Sequence, residues 1–256
     1  MPPLAGLRPL ADSLRHMRRV FFLLFASLWF ALPALAQPVT VFAAASLRDA
    51  LSDIAQSYPD KVTLSFAGSG TVARQVAAGA PADVVVLAHR DWALWMQAQD
   101  LVLPDSLRDV AGGRLVVVGA ADAPDIAQAN TASLTAALNG GRIAMGQRDG
   151  VPAGTYAREW LTSIGAWQAL APQLAETDNV RAALALVAAG AAPLGVVYAS
   201  DAVAEPRVRI VYEIPAATHS PIRYPAAAAT AAGRAFVAHL TTPQAAQTFA
   251  KHGFAP

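Results

Sequence analysis

From residue 39 to the end of the chain, short β-branched apolar runs alternate with amphipathic helical patterns. Strands are expected at 39–43, 62–66, 83–87, 114–118, 142–145, 194–198 and 208–213. Helices are expected at 46–57, 71–78, 90–98, 131–138, 154–164, 179–189, 200–203, 231–239 and near 243–251. Strands separated by helices imply βαβ units, so the fold class is α/β with mainly parallel sheets. The runs Val84-Val85-Val86-Leu87 and Leu115-Val116-Val117-Val118 carry no polar position, as strands covered on both faces do. The alanine-rich patches at 182–192 and 226–232 read as helical or loop-like.

The first 36 residues follow another pattern. Arg15, Arg18 and Arg19 precede an apolar, uncharged run at 20–32, and Ala34-Leu35-Ala36 offers a small-x-small cleavage site before Gln37. That is a secretory signal peptide. The run is too short for a spanning helix, which needs ~20 apolar residues. A start at Met17 gives a signal of ordinary length.

Removing the signal changes the charge. The chain has 19 basic and 18 acidic residues; taking away Arg8, Arg15, Arg18, Arg19 and Asp12 leaves 15 against 17, a net of −2. With no basic stripe, nothing points to nucleic acid. The chain has no cysteine, so the exported product rests on its apolar core and carries no lipid-modified cysteine. It is expected to be soluble in a periplasm.

Two stretches carry the candidate chemistry: VFAAASLRDAL at 41–51 and SFAGSGTVARQV at 65–76. In each, a strand ends in small residues and a serine, Ser46 or Ser69, and a helix begins. Free N–H groups at a helix start, the positive end of its dipole and a hydroxyl together make an anion cradle. Three later places read alike. Val151-Pro152-Ala153-Gly154 opens a helix, with Gly154 allowing close backbone approach to a ligand. Asp178-Asn179 can cap a helix starting near Val180. Tyr198 ends a strand, where α/β sheets bind ligands. Singly, each is ordinary capping, turn or core chemistry; together they place one anion in a cleft between an early and a late lobe. Arg74, Arg158 and Arg181 lie near these helix starts and are expected to face solvent or pair with acids. His89-Arg90-Asp91 has no partner at metal-ligand spacing, and Gly68-Ser69-Gly70 is no nucleophile elbow.

AAASL at 43–47, SFAGSGTVARQVAAGAPADV at 65–84, NGGRIAMG at 139–146, VPAGTYA at 151–157, DNVRAALALV at 178–187, APLGVVYASDA at 192–202 and the GFAP ending together resemble the periplasmic molybdate-binding proteins of molybdate ABC importers. The likeness spans residues 38–256. It implies a type II periplasmic binding-protein fold, two hinged lobes around a tetrahedral oxyanion. The lobes are expected at 37–117 plus 222–256 and at 118–221. The resemblance assigns hydroxyl and N–H contacts to Ser46 and Ser69, N–H contacts to Ala153 and Val180, and a phenol contact to Tyr198. It implies molybdate or tungstate as ligand, no cofactor or metal cation, no catalysis, a monomer, and an inner-membrane ABC permease as partner. Some relatives carry serines where this chain has Gly68 and Gly70. A binder of sulfate, thiosulfate or another oxyanion, a serine hydrolase, and a ligand sensor stand as alternatives.

Overall fold

The computed structural model describes residues 37–256, so the signal-peptide segment at 1–36 lies outside the described residues. Two five-stranded sheets organise the described residues. The first has the order β2-β1-β3-β10-β4, from β1 (Val39–Ala44), β2 (Val62–Ala67), β3 (Val84–Val86), β4 (Arg108–Gly112) and β10 (Arg223–Ala228). The second has the order β7-β6-β8-β5-β9, from β5 (Leu115–Ala120), β6 (Ile143–Gly146), β7 (Leu174–Thr177), β8 (Leu194–Tyr198) and β9 (Val208–Glu213). In each sheet the βαβ strands are parallel. The strands that enter or leave a sheet near the crossovers, β4, β5, β9 and β10, pair antiparallel. Both sheets are therefore mixed, and each forms an α/β lobe.

The chain passes between sheets at Gly113-Arg114 and returns through 214–222. Residues 115–117, expected with the first lobe, pair within the second sheet, because β5 hydrogen-bonds along its whole length to β8 and β9. Arg114 Nη1 donates to both carboxylate oxygens of Glu213 at 2.9 Å, tying the outgoing strand to the returning one.

Helices cover both faces. In the first lobe α1 (Arg48–Ser57), α9 (Arg234–Leu240) and α10 (Pro243–Lys251) lie on one face, and α2 (Ser69–Ala77) and α3 (Arg90–Ala98) on the other. The two-residue period shows it: Val84 and Val86 pack with Leu51, Ile54 and Phe236, whereas Val85 and Leu87 pack with Val72, Ala93 and Met96. The second lobe carries α4 (Thr131–Leu138), α5 (Pro152–Ser163), α6 (Trp167–Leu170), α7 (Val180–Ala188) and α8 (Ala199–Val203). No helix among the described residues is long and apolar enough to cross a membrane.

One patch departs from expectation. Ala226-Ala227-Ala228 is not helical or loop-like but part of a strand inside the first sheet. Ala226 and Ala228 face one core and Ala227 the other. Small side chains suit a strand on which helices sit close: a Cβ on Gly233, beside β3, would lie 2.1 Å from the Asp83 carbonyl. Tertiary packing here overrides alanine's helical preference. Asp83 itself is a brace, accepting from Thr40 N–H at 2.9 Å and from the Thr230 hydroxyl at 2.6 Å.

Candidate functional site

Because β1 and β2 run parallel in one sheet, and β6, β7 and β8 have their counterparts in the other, their carboxyl ends gather at one edge of each lobe. These edges meet around a small cavity. Ser46, Ser69, Ala153, Val180 and Tyr198 all line it. Among the described residues, no charged side chain does.

The two serines do not act as ordinary caps. Ser46 lies in a single 3₁₀ turn, Ala45–Leu47, and α1 begins only at Arg48. Its hydroxyl is buried and has no hydrogen-bond partner among the described residues. Ser69 is the first residue of α2, two residues before the expected start, with Gly68 at the cap position. Its Oγ accepts from Ala88 N–H at 3.0 Å. That bond occupies a lone pair and leaves the hydroxyl proton free to point into the cavity, so Ser69 is set as a donor.

The second lobe contributes two helix starts. Pro152 opens α5, its missing N–H costing nothing at that position, and Ala153 follows. Val180 opens α7 behind Asn179, whose Oδ1 accepts from Ala182 N–H at 3.0 Å, as the capping reading required. First-turn N–H groups have no acceptor within their own helix, so those of Ala153 and Val180 are available to a ligand. Tyr198 completes the ring. It is buried, its hydroxyl has no hydrogen-bond partner among the described residues, and burial pushes its pKa well above the ordinary phenol value. It stays a neutral donor.

Gly154 is required by packing. A Cβ there would lie 2.1 Å from the Gly146 carbonyl and 2.6 Å from that of Gln147. Gly68 and Gly70 serve the interface of the lobes: a Cβ on either would fall 2.5 Å from a backbone oxygen opposite, Asp178 for the first and Gly150 for the second. The lobes are closed on each other. Gly70 N–H donates to Gly150 O at 3.1 Å, and the Tyr156 hydroxyl donates to Ala88 O at 3.3 Å. The Tyr156 ring also stacks on His89, with centroids 4.9 Å apart.

Ala88 is the site residue that sequence reasoning passed over. Its N–H orients Ser69, its carbonyl holds Tyr156 across the cleft, and it lines the cavity. It follows the apolar run that forms β3, so the strand-end rule that found Tyr198 also reaches it. His89 is the cap of α3, accepting from Asp91 N–H at 3.1 Å through Nδ1. Among the described residues no group of three His, Cys, Asp or Glu side chains is placed to hold a metal.

The three arginines do pair or stack outside the cavity. Arg158 Nη1 donates to Asp149 at 2.7 Å, and the Arg74 guanidinium lies 5.8 Å from the Trp92 ring centre. Arg181 is the more deeply placed: it pairs with Asp201 at 2.6 Å and with Asp49 at 2.7 Å.

The model of the bacterial extracellular solute-binding protein family matches residues 39–255. The chain is 42% identical over 226 residues to the molybdate-binding protein ModA of Escherichia coli (strain K12), covering 84% of this chain and 88% of that one. It is 37% identical over 245 residues to the molybdate-binding protein ModA of Haemophilus influenzae, covering 91% and 95%. Its fold superimposes on the periplasmic molybdate-binding protein of Azotobacter vinelandii with a TM-score of 0.74 at 24% identity, covering 85% and 99%.

Proposed function

The chain belongs to the bacterial extracellular solute-binding protein family, and from that premise we propose that it captures molybdate, or the equally sized and charged tungstate, in a periplasm and delivers it to the membrane permease of an ABC importer. A solute-binding protein of this family is not an enzyme. The observation that carries the reading is the convergence of Ser46, Ser69, Ala153, Val180 and Tyr198, from five segments of two lobes, on one small cavity without a charged wall.

In this reading the dianion enters between open lobes, and the lobes close over it. Hydroxyls of Ser46, Ser69 and Tyr198 and N–H groups at four helix or turn starts replace its water. Each helix start contributes about 0.3–1 kcal/mol, more when buried. The donors are preorganised, so little is lost to ordering them on binding. Sulfate has the same charge and shape, so size must exclude it. Phosphate at neutral pH carries a proton that needs an acceptor in a ring built of donors.

Calorimetric titration with molybdate, tungstate, sulfate, phosphate and chromate tests this. One tight site per chain for molybdate and tungstate, with little heat from sulfate, is the expected result. Sulfate binding as tightly as molybdate refutes the selectivity, and silence with every oxyanion refutes the function.

A further inference from the structure

Just outside the cavity, one guanidinium touches both lobes. Arg181 is the second residue of α7, beside Val180. Its Nε donates to Asp201 Oδ1 at 2.6 Å; its Nη2 donates to Asp49 Oδ2 at 2.7 Å and, more distantly, to the Ser46 carbonyl at 3.4 Å. Asp201 and Arg181 belong to the second lobe, and Asp49, in the first turn of α1, to the first.

The two halves of this arrangement differ in burial. The Asp201 side chain is 0% exposed, Arg181 20% and Asp49 42%. Asp201 also accepts Tyr198 N–H at 3.1 Å through its other oxygen. A fully buried carboxylate cannot lose its counter-charge without a large penalty. The Arg181–Asp201 half is therefore a fixture of the second lobe, aiming the guanidinium across the cleft. The Asp49 half is the one that lobe opening breaks, and both of its groups are accessible to water when parted. We infer that Arg181 and Asp49 form a clasp that closes with the lobes and sets how long a bound oxyanion stays, without either residue touching it. The clasp also joins two site residues, since Ser46 on one side and Tyr198 on the other are held by the same Arg181–Asp201 unit. Arg181 is thus a positioning residue, and the inference rests on the oxyanion reading for its ligand but not for its geometry.

Asp49 is the residue to change, because replacing Arg181 strands buried Asp201. Stopped-flow fluorescence with molybdate separates the rates. Asp49→Asn is expected to speed dissociation roughly fivefold, the scale of a partly exposed charged pair, with association within about twofold of wild type. Asp49→Glu is expected to recover part of the loss. Salt near molar is expected to quicken dissociation from the wild type towards the Asp49→Asn rate and to leave Asp49→Asn nearly unchanged. Asp53→Asn, one turn along the same helix and paired within the first lobe to Lys251 and His252, serves as control and is expected to match wild type. Dissociation of Asp49→Asn at the wild-type rate, or a loss confined to association, overturns the clasp. Should no oxyanion bind the wild type, the ligand reading fails on its own, and an interlobe distance decides the clasp. The chain has no cysteine, so spin labels on Gln99→Cys and Asp122→Cys report it cleanly. A longer mean distance in Asp49→Asn supports the clasp, and identical distributions refute it.

Discussion

At the scale of single residues, the hydroxyls of the cavity divide by what else they do. Among the described residues Ser46 Oγ and Tyr198 OH have no hydrogen-bond partner, whereas Ser69 Oγ accepts Ala88 N–H. A buried hydroxyl without a partner is a cost to the ligand-free protein and a gain only with an anion present. Ser46→Ala and Tyr198→Phe are therefore expected to weaken molybdate binding by about 1–3 kcal/mol each while leaving the ligand-free melting temperature unchanged or higher. The Tyr198 ring keeps its edge contacts with Tyr156 and Tyr224 in the phenylalanine variant. Ser69→Ala is expected to lose binding on the same scale but also to lower the ligand-free melting temperature, because it strands a buried N–H. Titration and thermal melts on the three variants check both halves; equal melting losses in all three would show that the hydroxyls are structural.

Among the elements, those with strong periodicity were readable and those set by their neighbours were not. The serine-bearing strand-to-helix turns, the Pro152 start, the Asn179 cap and the strand end at Tyr198 are local chemistry, and the five candidate residues found at them line one cavity. Strands β4 and β7 escaped because they are sheet edges, where RDVAG and LAET need no apolar alternation. Strand β10 escaped because its alanines follow from helices packing closely on the sheet, a tertiary fact. Gly68 belongs to the same class. Its φ of −64° is one that any residue adopts, so its lack of a side chain matters only to the opposite lobe. Gly68→Ala is expected to leave the ligand-free protein as stable, or up to about 1 kcal/mol more stable through the unfolded chain. Its Cβ would crowd Asp178 O, so closure is expected to cost about 1–3 kcal/mol, read as at least several-fold weaker molybdate binding by calorimetry. Unchanged affinity would mean that the lobes bind the ligand without this contact.

For the whole molecule, the decisive property is that charge is kept away from the cavity and used around it. The hydroxyls of Ser46, Ser69 and Tyr198 and the helix starts at Ala153 and Val180 line the cavity, while Arg181, Asp201 and Asp49 stand outside it, with the Arg181–Asp49 pair crossing between the lobes. Short contacts inside a closed, water-poor cavity are screened weakly, and of the two ion pairs of Arg181 the part-exposed one with Asp49 is the one open to salt. Molybdate affinity is therefore expected to fall by less than about tenfold between low and near-molar inert salt. Arg74→Gln and Arg158→Gln, whose partners lie outside the cavity, are expected to change affinity far less than Ser69→Ala does. Two titratable groups at the cavity and beside it point to the same flatness in pH. Tyr198 is held protonated by burial well above the ordinary phenol range, and burial of His89 pushes its pKa down, so it is already neutral at pH 7. Neither changes state between about pH 7 and pH 9, and affinity is expected to be level across that window. A steep salt slope, or a loss of binding as pH rises through 8, would show that a cation grips the ligand and that the ring of neutral donors does not.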